Sequence, residues 1–303
     1  MAANRSVLLA IMTLPDEVQH LIQTDVPLAP RTSLGIGGPA RFFAEPPEAD
    51  DLPTLVRAAR GSELPVRVLG GGSNVLVRES GVDGLVISLA AAVHSGLSMD
   101  GHTLRVGAGA KLSQAVVKAV GDGLAGLEHL IGIPGTVGGA VVGNVSAGGR
   151  DIGSVVSAVE VMNLEGDCES IGRDDLHFGH RKSSLGDRPI LAVHFQLEPA
   201  DVTTLTKRMQ KLWISRNAKG GRASQNRVMP FADPDGMPIG QLFQTLGLAG
   251  LRQGGAAIDS SQPEYLVAES DATSSDCLEL ISRVREQTLA QTDIDLQLNL
   301  QIW

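Results

Sequence analysis

The sequence predicts an α+β protein whose function rests on glycine-rich loops, and three observations carry that expectation. Runs with helical spacing alternate with short β-branched runs over short connections. Two segments, 69–77 and 132–149, concentrate glycine directly after or within apolar stretches. A stretch from Ala218 to Asp235, rich in glycine, asparagine and arginine and without hydrophobic period, separates a smaller α/β pattern at the C-terminal end.

Taken in order, Leu52–Arg60 has helical spacing and is followed by the β-branched run Leu64–Leu69, which ends at the first glycine loop. Gly84–Leu89 and Thr103–Gly109 read as strands, with Leu112–Gly121 as a helix whose alanines and valines form the buried stripe. Residues 155–164 and 189–197 alternate like half-buried antiparallel strands. Beyond the boundary, Gly240–Gly247 is expected to be a short helix and Tyr265–Ala268 a strand. Ser274 or Ser275, with Asp276, caps a helix running to about Gln291. The chain closes on an expected strand from Leu296 to Ile302 that puts Leu296, Leu298, Leu300 and Ile302 on one face.

Composition narrows the function classes. At 303 residues and 43% hydrophobic, the chain has material for the cores of two or three domains. The longest early apolar run, Val7–Met12, is too short for a signal segment, and residues 1–24 are expected to be a loosely packed N-terminal extension. A net charge of −9 argues against a nucleic-acid or anionic-membrane partner. Cys168 and Cys277 stand far apart without clustered histidines, so neither a metal nor a disulfide is expected and the setting reads as cytoplasmic. Nothing in the composition fixes the oligomeric state.

The two glycine segments point to chemistry. Leu69-Gly70-Gly71-Gly72-Ser73-Asn74 and the run from Gly132 to Gly149 remove side chains over consecutive positions, leaving backbone N–H groups free to approach an anion closely. A large phosphorylated cofactor suits such a surface. The alternative, tight turns between strands, accounts poorly for the density of glycine after residue 132.

Four segments together carry a family resemblance: Thr32–Ala40, the Gly70 loop continuing through Ile87, the Gly132–Gly149 run, and Leu248–Ala256. With them the chain, from about residue 25 to its end, resembles the UDP-N-acetylenolpyruvoylglucosamine reductases of bacterial peptidoglycan synthesis, in the short form that lacks a tyrosine-bearing insertion. The resemblance implies a two-lobed FAD-binding domain of the vanillyl-alcohol-oxidase type over 25–215, with lobes of about 25–98 and 99–215. A C-terminal substrate domain over 216–303 would close on a nucleotide sugar, and NADPH would supply electrons. It assigns FAD contacts to Gly37, Leu69, Gly70, Gly71, Gly72, Ser73, Asn74, Gly132, Ile133, Pro134, Gly138, Gly139, Asn144, Ala147 and Gly148. Gly37 also admits a plain reading as a bend before the Arg41–Ala44 strand.

The family reaction needs a cation for the developing enolate-like charge and an acid for the adjacent carbon. The cation position is kept: Phe178-Gly179-His180-Arg181 matches the family's Phe-Gly-Tyr-Arg, with His180 in place of tyrosine. An arginine fork suits a carboxylate or oxyanion because it offers fixed donors and cannot lose its charge. The acid positions are not kept. The family serine of Gly-Ser-x-Phe-Lys/Arg-Asn-Pro falls on Met229 of Val228-Met229-Pro230-Phe231-Ala232-Asp233-Pro234, and the family's C-terminal glutamate falls on Asn299. Neither replacement can hand over a proton. Ser261–Tyr265 likewise replaces a Lys-His-x-Asn-Phe stretch.

Three readings follow from the residues. A flavoprotein of the family that no longer turns over the family substrate is narrowly favoured over an active reductase with a relocated donor, for which Ser224 and Asp233 are the candidates. The third is a structural protein whose glycine loops are relics.

Overall fold

The computed structural model describes residues 15–163, 165–218, 226–234 and 237–303. The expected run Val7–Met12 and the candidate donor Ser224 lie outside these residues, as does most of 218–225 at the expected boundary. The chain forms two compact units that no single cut separates. One comprises the described parts of 1–26, 40–71 and 83–220, the other those of 27–39, 72–82 and 221–303.

The first unit carries two larger sheets besides short two-stranded pairings. Strands β1 (Ile22–Pro27), β2 (Pro39–Ala44), β3 (Val66–Leu69) and β4 (Val82–Ser88) form a four-stranded sheet in the order β1-β2-β4-β3, with β3 and β4 parallel. Helix α1 (Asp51–Gly61) leads from β2 to β3 and buries Leu52, Leu55, Val56, Ala58 and Ala59. The crossover that parallel pairing requires runs through residues 70–81, so the first glycine loop leaves the C-terminal end of β3. Within the expected N-terminal extension, the turn Asp16–Gln19 buries Val18 and the chain enters β1 at Ile22.

The second sheet is antiparallel. Strands β5 (Leu97–Asp100), β6 (Thr103–Gly107), β7 (Val156–Met162), β8 (Cys168–Gly172) and β9 (Ile190–Gln196) pair in the order β8-β7-β9-β6-β5. The two stretches expected to alternate are direct partners, with Val159 opposite Val193. Helix α2 (Leu112–Gly121) packs Leu112, Ala115, Val116 and Ala119 into one core with residues of both sheets. The glycine run contains a six-residue helix, α3 (Val137–Val142), whose N-cap is the Thr136 hydroxyl, accepting from the Gly139 N–H. Helix α4 (Val202–Ala218) has no counterpart among the sequence-based expectations. Its buried Leu205 is followed at helical spacing by Met209 and Leu212, both packed on the core, a stripe diluted in sequence by threonines, lysines and arginines.

The second unit has its own core of Val228, Phe231, Ile239, Leu242, Phe243, Ile258, Leu280 and Val284, with Leu34 and Leu76 from the two earlier segments. Its strands β10 (Arg227–Val228), β11 (Arg252–Gln253), β12 (Ala256–Ile258) and β13 (Leu266–Ala268) pair as β10-β13-β12-β11, beside α5 (Ile239–Thr245) and α6 (Ser274–Thr292). Two expectations are corrected here. Helix α6 is capped by Thr273: its hydroxyl accepts from the Asp276 N–H and the Asp276 carboxylate accepts from the Thr273 N–H. Ser274 is instead the first helical residue, buried, with both its N–H and its hydroxyl donating to the Glu79 carboxylate.

The expected closing strand is the other correction. Only Gln301–Ile302 pairs as a strand, parallel to Val75–Leu76. Leu296 and Leu300 are buried while Leu298 is exposed, because 296–300 is held by an isolated bridge to Phe231 and irregular backbone bonds rather than by a continuous ladder. No helix of the described residues is long and apolar enough to cross a membrane.

Candidate functional site

The two glycine segments converge in the first unit, although more than sixty positions separate them. A Cβ built on Gly71 would stand 3.0 Å from the Gly135 Cα, and one on Gly70 would stand 2.5 Å from the Thr136 hydroxyl oxygen. The second contact is closer than a side chain tolerates and the first is at the limit, so the loop after β3 lies with its backbone directly on the loop before α3. Gly135 has φ +117, a conformation that L side chains rarely adopt. Gly70, Gly71, Pro134, Gly139 and Gly148 are exposed, so this side-chain-poor surface is accessible.

The remaining residues expected around a cofactor divide by role. Leu69 is the buried end of β3, and Ile133 is half-buried against the core. Gly138 is a packing residue, since an added Cβ would meet the Ala108 Cβ at 2.9 Å. Ala147 lies in a short hairpin, Ser146–Ala147 with Arg150–Asp151, whose turn is Gly148-Gly149. Asn144 is buried and its amide is engaged: Oδ1 accepts from the Gly153 N–H at 3.1 Å and Nδ2 donates to the Gly179 carbonyl at 2.8 Å. Its side chain ties loops together, which leaves its backbone to the glycine run.

That tie brings the candidate cation into place. His180 and Arg181 form the two-residue turn between Phe178–Gly179 and Lys182–Ser183, with Arg181 at φ +55. The hairpin is fixed to the end of the glycine run by Asn144 on Gly179 and by the Ser183 hydroxyl donating to the Val142 carbonyl at 3.0 Å. Arg181 is half-buried and His180 exposed.

Sequence reasoning missed the polar cluster where the chain enters the glycine run. Glu128 is fully buried, accepting from the Gly126 N–H at 2.8 Å, from Arg208 at 3.0 Å and from Arg150 at 3.1 Å. Burial alone would raise its pKa, but the Gly126 N–H and the two guanidiniums outweigh that and hold it at about 2. Neighbouring His129 is pushed down to about 4, first by burial and then by the Arg150 charge, so its ring is neutral near pH 7. A charged residue directly after an apolar Leu-Ala-Gly-Leu run was the one available signal. Its partners lie 22 and 80 positions away, and one is on α4.

The second unit holds the other candidates. Gly37 packs against Val77, with an added Cβ only 2.6 Å from the Val77 Cβ, so close packing accounts for this glycine. Gly72 is buried against the backbone of Arg31 and Thr32. Ser73 follows it half-buried, and Asn74 donates through Nδ2 to the Asn299 carbonyl. Asn299 in turn donates its N–H to the Pro230 carbonyl at 2.8 Å and reaches the Met229 carbonyl through Nδ2 at 3.4 Å. Met229 and Asn299, 70 positions apart in sequence, are therefore neighbours. The Asp233 carboxylate is exposed and accepts from the Ile239 N–H at 2.9 Å, serving the first turn of α5.

Comparison with known proteins gives this geometry a family. Residues 40–172 match the model of an FAD binding domain, and residues 222–303 match that of the UDP-N-acetylenolpyruvoylglucosamine reductase C-terminal domain. The UDP-N-acetylenolpyruvoylglucosamine reductase of Rhodopirellula baltica is 55% identical over 289 residues, covering 95% of each chain. The chain belongs to the UDP-N-acetylenolpyruvoylglucosamine reductase family. The Geobacter metallireducens member is 37% identical and covers 93% of each chain. The crystal structure of the reductase from Thermus caldophilus superposes with a TM-score of 0.77 at 33% identity, over 93% of this chain and 98% of that one. The family is FAD-binding, and the paired glycine loops fit such a group. A diphosphate-linked flavin needs close backbone donors and a wall without side chains, and the exposed glycines 70, 71, 139 and 148 present such a wall.

Proposed function

We propose that this chain is a flavin-dependent, NADPH-oxidising member of its family in which the hydride half of the reaction is kept and the protonation half is impaired. When bound, FAD supplies hydride transfer from the nicotinamide to an acceptor. The amides of Gly70 and Gly71, with those of Gly132, Gly135 and Thr136 in the facing loop, would hold its diphosphate. Arg181, presented on its hairpin, would face developing negative charge on a nucleotide-sugar substrate.

The observation that carries the reading is the adjacency of Met229 and Asn299. Both positions that supply the acid in the family come together here, and together they offer a thioether and a carboxamide, neither of which delivers a proton. Of the two candidates for a relocated donor, Ser224 lies outside the described residues and Asp233 has another partner. Asp233 sits on the surface, and its carboxylate is engaged in accepting the Ile239 N–H at the start of α5.

Loss of a positioned general acid costs on the order of 10²–10⁴ in rate. With NADPH, the FAD-loaded protein is therefore expected to bleach its flavin, and with NADPH and the enolpyruvyl nucleotide sugar to form product at a rate lower by that factor than the double variant Met229→Ser/Asn299→Glu. Fast stoichiometric product from the unaltered chain defeats the reading, as does a double variant that gains nothing. The protein is expected to work in the cytoplasm, where both nucleotides are found.

A further inference from the structure

The segment Glu128–Ile131 leads directly into the glycine run, and α4 grips it twice. Arg208, Leu212 and Arg216 stand at i, i+4 and i+8 of that helix and share one face. Leu212 packs on the core, Arg208 pairs with Glu128 at 3.0 Å, and Arg216 spans two carbonyls. Its Nη2 donates to the His129 carbonyl at 2.7 Å and its Nη1 donates to the Ile131 carbonyl. The Arg216 stem also lies over Gly132, with Cδ 3.6 Å from where a Cβ would stand.

This geometry points to Arg216 as a positioning residue for FAD, an inference that rests on the 132–139 loop being part of the cofactor wall. A carbonyl and the following N–H belong to one rigid peptide plane and point in opposite directions. Fixing the Ile131 carbonyl on Arg216 therefore fixes the Gly132 N–H, the first bare amide of the run, and aims it away from α4. Gly132 stands at φ +82, where glycine has wide freedom and no side chain to restrain the plane. An outside restraint is needed for that amide to be preorganised, and a planar guanidinium bonded to two carbonyls supplies it. Lysine, with a single ammonium on a flexible stem, can replace one of the two bonds but not the fork. Glu128 and Arg208 hold the start of the same turn, so both of its ends are tied to one helix.

The test is FAD titration of the full chain stripped of flavin, followed by flavin absorbance and fluorescence, with thermal unfolding of the apoprotein measured alongside. Arg216→Met is expected to raise the FAD Kd about tenfold or more and to shift the bound flavin spectrum, with Arg216→Lys falling between it and the unaltered chain. A purely structural arginine would lower the apoprotein Tm and leave Kd and spectrum in place. An Arg216→Met Kd within twofold of the unaltered value overturns the inference. Should that variant fail to fold, Arg216→Lys decides, and an unchanged Kd overturns the inference in the same way. Gly71→Val separates this from the underlying reading. If Gly71→Val leaves FAD uptake intact, the loop assignment falls and the role of Arg216 with it; if Gly71→Val abolishes uptake while Arg216→Met does not alter it, only the role of Arg216 falls.

Discussion

Replacing Glu128 by glutamine keeps the size of the side chain and an acceptor for the Gly126 N–H but removes the charge that Arg150 and Arg208 share. The carboxylate is fully buried, and its pKa moves from 4.5 to about 2. A difference of that size corresponds to roughly 3 kcal/mol of preference for the folded state. The two arginines are about half exposed, at 48% and 53%, and can rehydrate once the carboxylate is gone. The cost of Glu128→Gln is therefore set just below the usual range for breaking a buried pair, at about 2–3 kcal/mol at pH 7.

The sign of the pH dependence follows from the lowered folded-state value. The stabilisation is fully present above the unfolded pKa of about 4.5 and is lost as pH falls toward about 2. His129, held neutral to about pH 4, destabilises the native state over the neighbouring range as the unfolded chain takes up its proton first; the larger part of that effect, set by burial and the Arg150 charge, is common to both proteins, and only the smaller part due to the Glu128 charge differs between them. Urea unfolding in a Trp303→Phe background, read through Trp213 of α4, isolates the first unit, because these are the only two tryptophans. The stability gap between the Glu128 protein and its Glu128→Gln variant should be full at pH 5–7 and shrink below pH 4.5. A gap under about 0.5 kcal/mol at pH 7, or one that stays constant down to pH 3, refutes the reasoning.

Two further outcomes follow from the second unit. Asp233→Ala removes the acceptor for the Ile239 N–H and should cost about 1 kcal/mol of stability while leaving the rate of any substrate reduction unchanged, as a capping residue but not a proton donor would; a large loss of turnover would restore Asp233 as an acid. Cys277 is buried, and burial with nearby Asp276 and Glu79 pushes its thiol up to about 12. Exposed Cys168 should react with a thiol reagent in the native protein and Cys277 only after unfolding, which titration of one versus two thiols reads directly.

Much of this protein is legible in its sequence wherever the signal is local. The alternation of 155–164 and 189–197 specifies two strands because side chains on a strand alternate between faces, and the two are indeed partners. Leu112–Gly121 is a helix with the expected stripe, and the consecutive glycines mark bare backbone before any fold is known. The motif spacing that carries the family resemblance is equally a property of the linear chain.

The rest depends on who meets whom. Gly71 beside Gly135, Asn144 holding the Arg181 hairpin, Met229 beside Asn299, and Glu128 between Arg150 and Arg208 are all partnerships across tens of residues, and hydrogen bonding and charge leave no periodic trace along the chain. Helix α4 was hidden because threonine, lysine and arginine dilute its apolar stripe, and only packing against the core reveals which face is buried. The closing leucines failed as a strand for a related reason: alternation specifies faces only where a ladder runs alongside, and beside 296–300 there is one isolated bridge. Sequence thus determined the local conformations that carry a period of their own and, through its motifs, the cofactor class, while tertiary contact decided which backbone amides are held in place and that Asp233 is employed elsewhere.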